Sequence, residues 1–438
     1  MREQWLNTVT LEPSKIDLFW YMPSVEGLCH IVSENLFFSA FRMLPVYPFL
    51  SKEVLDGFKY KYKYSSQDTS PFSNWVMHPF WNRLVLIFPA WVAPNVMTFS
   101  GFLALTSQIS LLAYIDPNFD AVNRNAIPNW VWLFCALCVF VAHQLDGIDG
   151  KQARRTKSSG PLGELFDHGI DSLSTFLLPV GLFSLFGHGE FGQTPLVFLL
   201  ALYTIQLPFV LAQWEKYLTG ILFLPWSYDI GMAGVATTYF ITWYGGGATF
   251  WHLYVYGNYS MSTVLVAACS FSLALAIFCS LYNIYESYAK KTGRMIMSVY
   301  EALLPLFSPT VLIVAATYWA LYSPGNVLVN NERWLLTLQG FIFSNIATRI
   351  IVSHMSLTRN QPVNAFVFLL VLGLGGIFGY SKIHGAHNPA VIAAEYNFLV
   401  GMTIFVVIGH LYYAYCVVCQ MADHLNINVF SISKPNQK

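Results

Sequence analysis

Four aspartates in a largely apolar sequence are the residues of this chain best placed to do chemistry. Asp146, Asp149, Asp167 and Asp171 lie in the run LDGIDGKQARRTKSSGPLGELFDHGIDS. Asp146 and Asp149 are spaced i, i+3 and Asp167 and Asp171 i, i+4, so on helices each pair shares one face. An ionisable residue at the centre of a membrane span costs about 3 kcal/mol even on the lenient insertion scale, so four together call for a compensating cation. An all-oxygen donor set suits a hard ion, Mg²⁺ or Mn²⁺, and is large enough for two; zinc would want His or Cys. The small neighbours fit a phosphate substrate. Gly147, Gly150 and Gly163 allow close backbone approach, Ala153 keeps a wall thin, and Arg154 supplies a planar fork for phosphate oxygens.

The elements that position these residues follow from composition. Of 438 residues, 55% are hydrophobic and 17% aromatic, and only 11% are charged, too few to cover a soluble surface of this size. The expectation is an all-α, polytopic membrane helix bundle. Apolar windows near the spanning length occur at 96–115, 130–149, 169–187, 195–214, 230–244, 262–284, 300–321, 334–353, 363–380 and 391–415, which gives about ten transmembrane helices. The window at 230–244 is the shortest and ends in Gly245, Gly246 and Gly247. Ten spans put both termini on one side, and all but a few of the 23 Lys and Arg fall on that side, which orients the termini to the cytosol. The charged first residues do not read as a signal peptide. Equal numbers of acidic and basic residues exclude a global basic field for nucleic acid. Cys135 with Cys138 and Cys416 with Cys419 form CxxC spacings inside apolar runs, where they read as packing residues.

Five segments are expected: an N-terminal extension over 1–57, an interfacial amphipathic segment over 58–95, a six-helix catalytic core over 96–284, four further spans over 285–420, and a cytosolic tail over 421–438. Pro45 and Pro48 break any helix in the extension. In the interfacial segment, Lys59, Lys61 and Lys63 alternate with Tyr60, Tyr62 and Tyr64, and Trp75, Phe80, Trp81, Phe88 and Trp91 follow, a pattern suited to the headgroup zone.

The aspartate run reads D-x2-D-G-x2-A-R-x8-G-x3-D-x3-D, filled by Asp146, Asp149, Gly150, Ala153, Arg154, Gly163, Asp167 and Asp171. It resembles the signature of the CDP-alcohol phosphotransferases, and an accidental match at one starting position is on the order of 10⁻¹⁰. The resemblance implies a six-helix core around a two-metal site on the cytosolic side, with the four aspartates as ligands. It also implies that Gly150, Ala153, Arg154 and Gly163 line the CDP pocket. APNVMTFSG resembles the family's first-helix pattern, which gives Asn95 a nucleotide-side role. The number of spans and the runs FKYKYSSQDTSPFSNWVMHPFWN, QWEKYLTGILFLPWSYDI and SVYEALLPLFSP resemble the eukaryotic choline/ethanolamine phosphotransferase branch, nearer its ethanolamine-specific members. Vertebrate members of that type end in a selenocysteine-containing tail, whereas this sequence ends SKPNQK.

What the resemblance implies is transfer of phosphoethanolamine from CDP-ethanolamine to diacylglycerol, in a homodimer of the endoplasmic reticulum or Golgi. The acceptor hydroxyl needs a base. Asp171 is the family-wide candidate, but His168 lies one turn after Glu164, so a Glu164 hydrogen bond would orient the imidazole and make it the better base. His78, His143, His354 and His410 read as satisfied structural residues. Glu215 and Lys216, in QWEKY, are placed where they could reach the amino-alcohol headgroup. A transporter with buried carboxylates would show an inverted repeat, and none is visible. A choline or dual-specificity transferase remains the nearer alternative.

Overall fold

Proline and short polar residues start helices where the apolar windows begin. Pro94, Pro161, Pro195 and Pro389 occupy first turns, where a missing N–H leaves nothing unpaired. Thr194, Ser298, Asn364 and Asn388 accept hydrogen bonds from the exposed N–H groups of the helices they precede. The computed structural model describes residues 44–432 except 69, 122–125, 189–191, 225–226, 249–250, 252–253, 258 and 291–297. Most of the expected extension and the end of the tail therefore lie outside the described residues.

In chain order the elements are α1 Lys52–Tyr60, β1 Ser66–Gln67, α2 His78–Leu84, α3 Pro94–Ile115, α4 Asn129–Arg155, α5 Pro161–Phe186, α6 Pro195–Thr219, β2 Leu222–Phe223, α7 Ser227–Tyr244, β3 Tyr254–Tyr256, β4 Tyr259–Ser260, α8 Met261–Ala289, α9 Val299–Tyr322, α10 Val327–Asn330, α11 Glu332–Ser356, α12 Ala365–His384 and α13 Pro389–Leu425. Among the described residues the fold is all-α, including a single π-turn at Ser73–Met77, apart from two minimal ribbons, parallel β1–β2 with Ser66 opposite Leu222, and antiparallel β3–β4.

Among the described residues, nine helices are long and apolar enough to cross a membrane: α3 to α6, α8, α9 and α11 to α13. The tenth expected span is present as α7, a helix of 18 residues that is not among those nine. It nevertheless lies along α4 from Asn129 to Asp146. At one end the Tyr228 hydroxyl meets Asp146, and at the other the Asn129 amide meets the Trp243 carbonyl. At 1.5 Å per residue, α7 is about 27 Å long, close to the thickness of a bilayer core.

The bundle is organised around α11, 83% of whose apolar window is buried, whereas the figure for α8 is 6% and marks the outermost span. Lipid tails are as apolar as leucine, so packing and polar contacts between helices hold such a bundle together. Around α11 these are Gln339 to Gln206 on α6 at 2.7 Å, Ser344 to Ser172 on α5 at 2.5 Å, Ser344 to His410 on α13 at 3.2 Å, and Asn345 to Asn364 before α12 at 2.8 Å. Apolar packing completes the core, with the Phe183 and Phe198 rings stacked at 4.1 Å.

The helices run past the expected apolar windows: α4 continues to Arg155 and α5 begins at Pro161, so the aspartates sit on two helix ends joined by a short turn, as their spacing requires. In α1, Gly57 lies against the Ser356 carbonyl at the end of α11, where a Cβ would not fit. Within 58–95, Trp75 is 80% exposed, whereas Trp81 is buried, donates from Nε1 to Gln144 at 2.9 Å and lies against Gly147. Gly147 therefore seats an indole and not a phosphate.

Candidate active site

The end of α4 and the start of α5 bring the four aspartates together. Asp146, Asp149 and Asp167 offer carboxylate oxygens within 4.8 Å of one another, and Asp167, His168 and Asp171 form a second such group. Each pair shares one face of its helix, and α4 and α5 both pack on α3, so the two pairs converge beside that helix. Thr98 on α3 donates to Asp149 Oδ2 at 2.5 Å, and Tyr228 on α7 donates to Asp146 Oδ2 at 2.8 Å. Asp167 Oδ1 is buried and meets no hydrogen-bond donor among the described residues. A buried anionic oxygen with no donor is costly unless a cation sits against it. The oxygen-only set thus fits a divalent ion of the Mg²⁺ or Mn²⁺ kind.

The residues expected to hold the nucleotide flank this cluster. The position of a Cβ on Gly150 would be 3.6 Å from the Arg154 guanidinium, and one on Gly163 would be 3.7 Å from Asn95 Oδ1. Arg154 is exposed and Ala153 half-buried. Asn95 uses its amide to donate to the Val429 carbonyl at 2.8 Å. Phe430, next to it, packs its ring on Phe99 and Phe166 at 5.7 Å each. The segment after α13 thereby becomes part of the wall beside Asn95.

His168 lies between the carboxylates. Its Nδ1 is 3.5 Å from Asp171 and 3.7 Å from Asp167, while Nε2 is 4.0 Å from Glu164. The expected Glu164–His168 hydrogen bond is absent, because both Glu164 oxygens are engaged elsewhere. Lys216 of α6 donates to Oε1, and the Tyr62 hydroxyl donates to Oε2 at 2.5 Å. Burial, then the adjoining Glu164 carboxylate, push the Tyr62 hydroxyl far above its ordinary range, so it remains a proton donor. Burial raises the Tyr64 hydroxyl as well. A cavity lined by Tyr62, Lys63, Lys216, Gly220, His354 and Met355 adjoins this network.

Residues 91–242 match the CDP-alcohol phosphatidyltransferase family. The chain is 40% identical over 399 residues to ethanolaminephosphotransferase 1 of Homo sapiens, an overlap covering 89% of this chain and 96% of that protein. The chain belongs to this family. More distant members are choline/ethanolaminephosphotransferase 1 of Arabidopsis thaliana, 30% identical over 86% of this chain and 96% of that one, and cholinephosphotransferase 1 of Saccharomyces cerevisiae, 30% identical over 70% and 79%. The substrates of a CDP-alcohol phosphotransferase are a CDP-alcohol and a lipid acceptor, and the family works with divalent metal ions. The match begins just before α3 and ends within α7, so it contains every site residue expected from the sequence.

Other residues were not legible as parts of the site. Tyr62 belongs to a Lys–Tyr alternation that reads as interfacial, and Tyr228 lies in PWSYDI, singled out only for its resemblance. Lys216 pairs with Glu164, while Glu215 accepts from Ser280 at 2.7 Å and Asn283 at 2.8 Å. The histidines read as structural have side-chain partners: His78 with Asp68, His143 with Asp229, His354 with Gln213 and His410 with Ser344.

Proposed function

We propose that this chain is an ethanolaminephosphotransferase, moving phosphoethanolamine from CDP-ethanolamine to the free hydroxyl of diacylglycerol and releasing CMP and phosphatidylethanolamine. The observation that carries the reading is the convergence of Asp146, Asp149, Asp167 and Asp171, with a donorless Asp167 oxygen, in a chain aligned with nearly the whole human ethanolaminephosphotransferase 1. In the transfer, the acceptor oxygen bonds to the phosphorus bearing ethanolamine, the bridging P–O bond breaks towards CMP, and the hydroxyl proton passes to a base.

The four aspartates would hold two Mg²⁺ or Mn²⁺ ions, which bound there supply charge neutralisation for the diphosphate and the leaving phosphate. Arg154 binds a phosphate of the donor with its planar fork, while Gly150, Ala153 and Gly163 leave room for CDP and Asn95 bounds the nucleotide side. His168 takes the acceptor proton. Asp171 and Asp167 lie beside Nδ1, 3.5 and 3.7 Å away, and keep the ring at the site. Tyr62 and Lys216 hold Glu164 in place. Glu164 is then a positioning residue, tying the start of α5 beside His168 to α6 and to Tyr62. We further place the site and termini on the cytosolic side of the endoplasmic reticulum or Golgi, in a homodimer.

The test uses purified full-length protein with diacylglycerol, Mn²⁺ or Mg²⁺, and CDP-ethanolamine or CDP-choline, following CMP. Faster release from CDP-ethanolamine is expected. No release from either donor sinks the reading, and equal or faster release from CDP-choline replaces it with the dual or choline activity.

A further inference from the structure

Tyr228 and its neighbours have no part in the transfer just described, yet they close on the same carboxylate. Tyr228 donates its hydroxyl to Asp146 Oδ2 at 2.8 Å. The next residue, Asp229, accepts from His143 Nε2 at 3.0 Å, and the two side chains are only 8% and 2% exposed. His143 and Asp146 are three residues apart on α4, and Tyr228 and Asp229 are adjacent on α7. The first turn of α7 is thus tied to the motif end of α4 at two neighbouring points. The His143 ring also stands edge-on to Tyr228 at 6.4 Å and to Trp81 at 5.5 Å. Trp81 in turn covers Gly147, the residue after Asp146.

We propose that this turn is an outer brace of the metal site: Tyr228 fixes the orientation of the Asp146 carboxylate, and the buried His143–Asp229 pair fixes Tyr228. The proposal rests on the reading of the aspartates as metal ligands. Its chemistry is that of outer-shell partners generally, which orient a ligand and preserve its charge. A phenol suits that role because it is a neutral donor. It occupies one lone pair of Asp146 and leaves the carboxylate anionic, unlike Lys216, which compensates the charge of Glu164. The pairing also explains how α7, the one expected span too polar to count among the nine apolar ones, keeps its register on α4. The polar residues of its first turn are satisfied by α4 itself.

The measurement is Mn²⁺ binding to the purified full-length protein by electron paramagnetic resonance, with no substrate present. Tyr228→Phe keeps the ring and loses only the hydroxyl, and a roughly tenfold to hundredfold weaker Mn²⁺ affinity is expected. Unfolding without metal should be unchanged, and turnover should recover at saturating Mn²⁺. Asp229→Asn should also weaken Mn²⁺ binding, and should add little in the Tyr228→Phe background because both act through one hydroxyl. Wild-type affinity in Tyr228→Phe overturns the brace. If Tyr228→Phe weakens Mn²⁺ binding but the wild type transfers no phosphoethanolamine, the transferase reading falls and the brace stands. If the wild type binds no Mn²⁺, both fall.

Discussion

Replacing Lys216 with methionine removes one partner of a buried ion pair and leaves the other in place. Lys216 and Glu164 have side chains only 6% and 3% exposed, so solvent screening does not reduce their interaction as it would at a surface. The Tyr62 bond to Glu164 is present before and after the change and offsets nothing. Removing one partner of such a pair typically costs about 3–5 kcal/mol, which is more than a hundredfold in the folding equilibrium. Glu164→Gln is expected to cost a similar amount, since it strands the ammonium. The double variant, Lys216→Met with Glu164→Gln, should be more stable than either single one, because a neutral pair of similar volume often replaces a buried ion pair at little cost. Denaturant titration in detergent micelles, read by tryptophan fluorescence, gives all four values. A Lys216→Met protein as stable as the wild type, or a double variant as weak as the sum of the singles, would refute the claim that the pair is buried and coupled.

Other consequences are simpler to state. Asp149→Asn and Asp167→Asn should each lower Mn²⁺-dependent CMP release by more than about a hundredfold, beyond what outer-shell changes cause, with the fold retained by circular dichroism. Gly147→Ala forces a methyl group into the Trp81 indole, whose Nε1 is held by Gln144; an overpacking cost of about 1–3 kcal/mol is expected in the same denaturant assay. The raised Tyr62 hydroxyl contributes stability that is fully present below the ordinary tyrosine value of about 10 and is lost only as pH rises through the higher folded value. The stability difference between wild type and Tyr62→Phe should therefore stay constant from about pH 7 to about pH 9, and a decline within that window would contradict the assignment.

Much of this architecture was legible because it is local. The aspartate spacings specify helix faces without knowledge of any tertiary contact, and the apolar windows locate the long helices, although α4, α5 and α13 run several residues past theirs. What the sequence hid is what comes from afar. Tyr62 and Glu164 are 102 residues apart, and Tyr228 and Asp146 are 82. No periodicity joins such pairs. The Lys–Tyr alternation at 59–64 illustrates the ambiguity, since an interfacial strip and a strap that reaches into a site share the same composition. The Glu164–His168 hydrogen bond failed for a related reason. An i, i+4 spacing makes a contact possible, but a lysine on α6 and a tyrosine after α1 compete for the same oxygens and win.

The polar character of α7 is then a consequence of its place. A span surrounded by lipid must be apolar throughout, whereas one lying along another helix can bury polar residues against partners on that helix. Asp229 is satisfied by His143, the Tyr228 hydroxyl by Asp146, and the Trp243 carbonyl by Asn129. These three contacts run along α4 from Asn129 to Asp146, so α7 is held there with less apolar surface. The feature that makes α7 hard to recognise from hydropathy is the one that ties it to the aspartates, and a chemical centre in a membrane bundle leaves such a mark on the helices that support it.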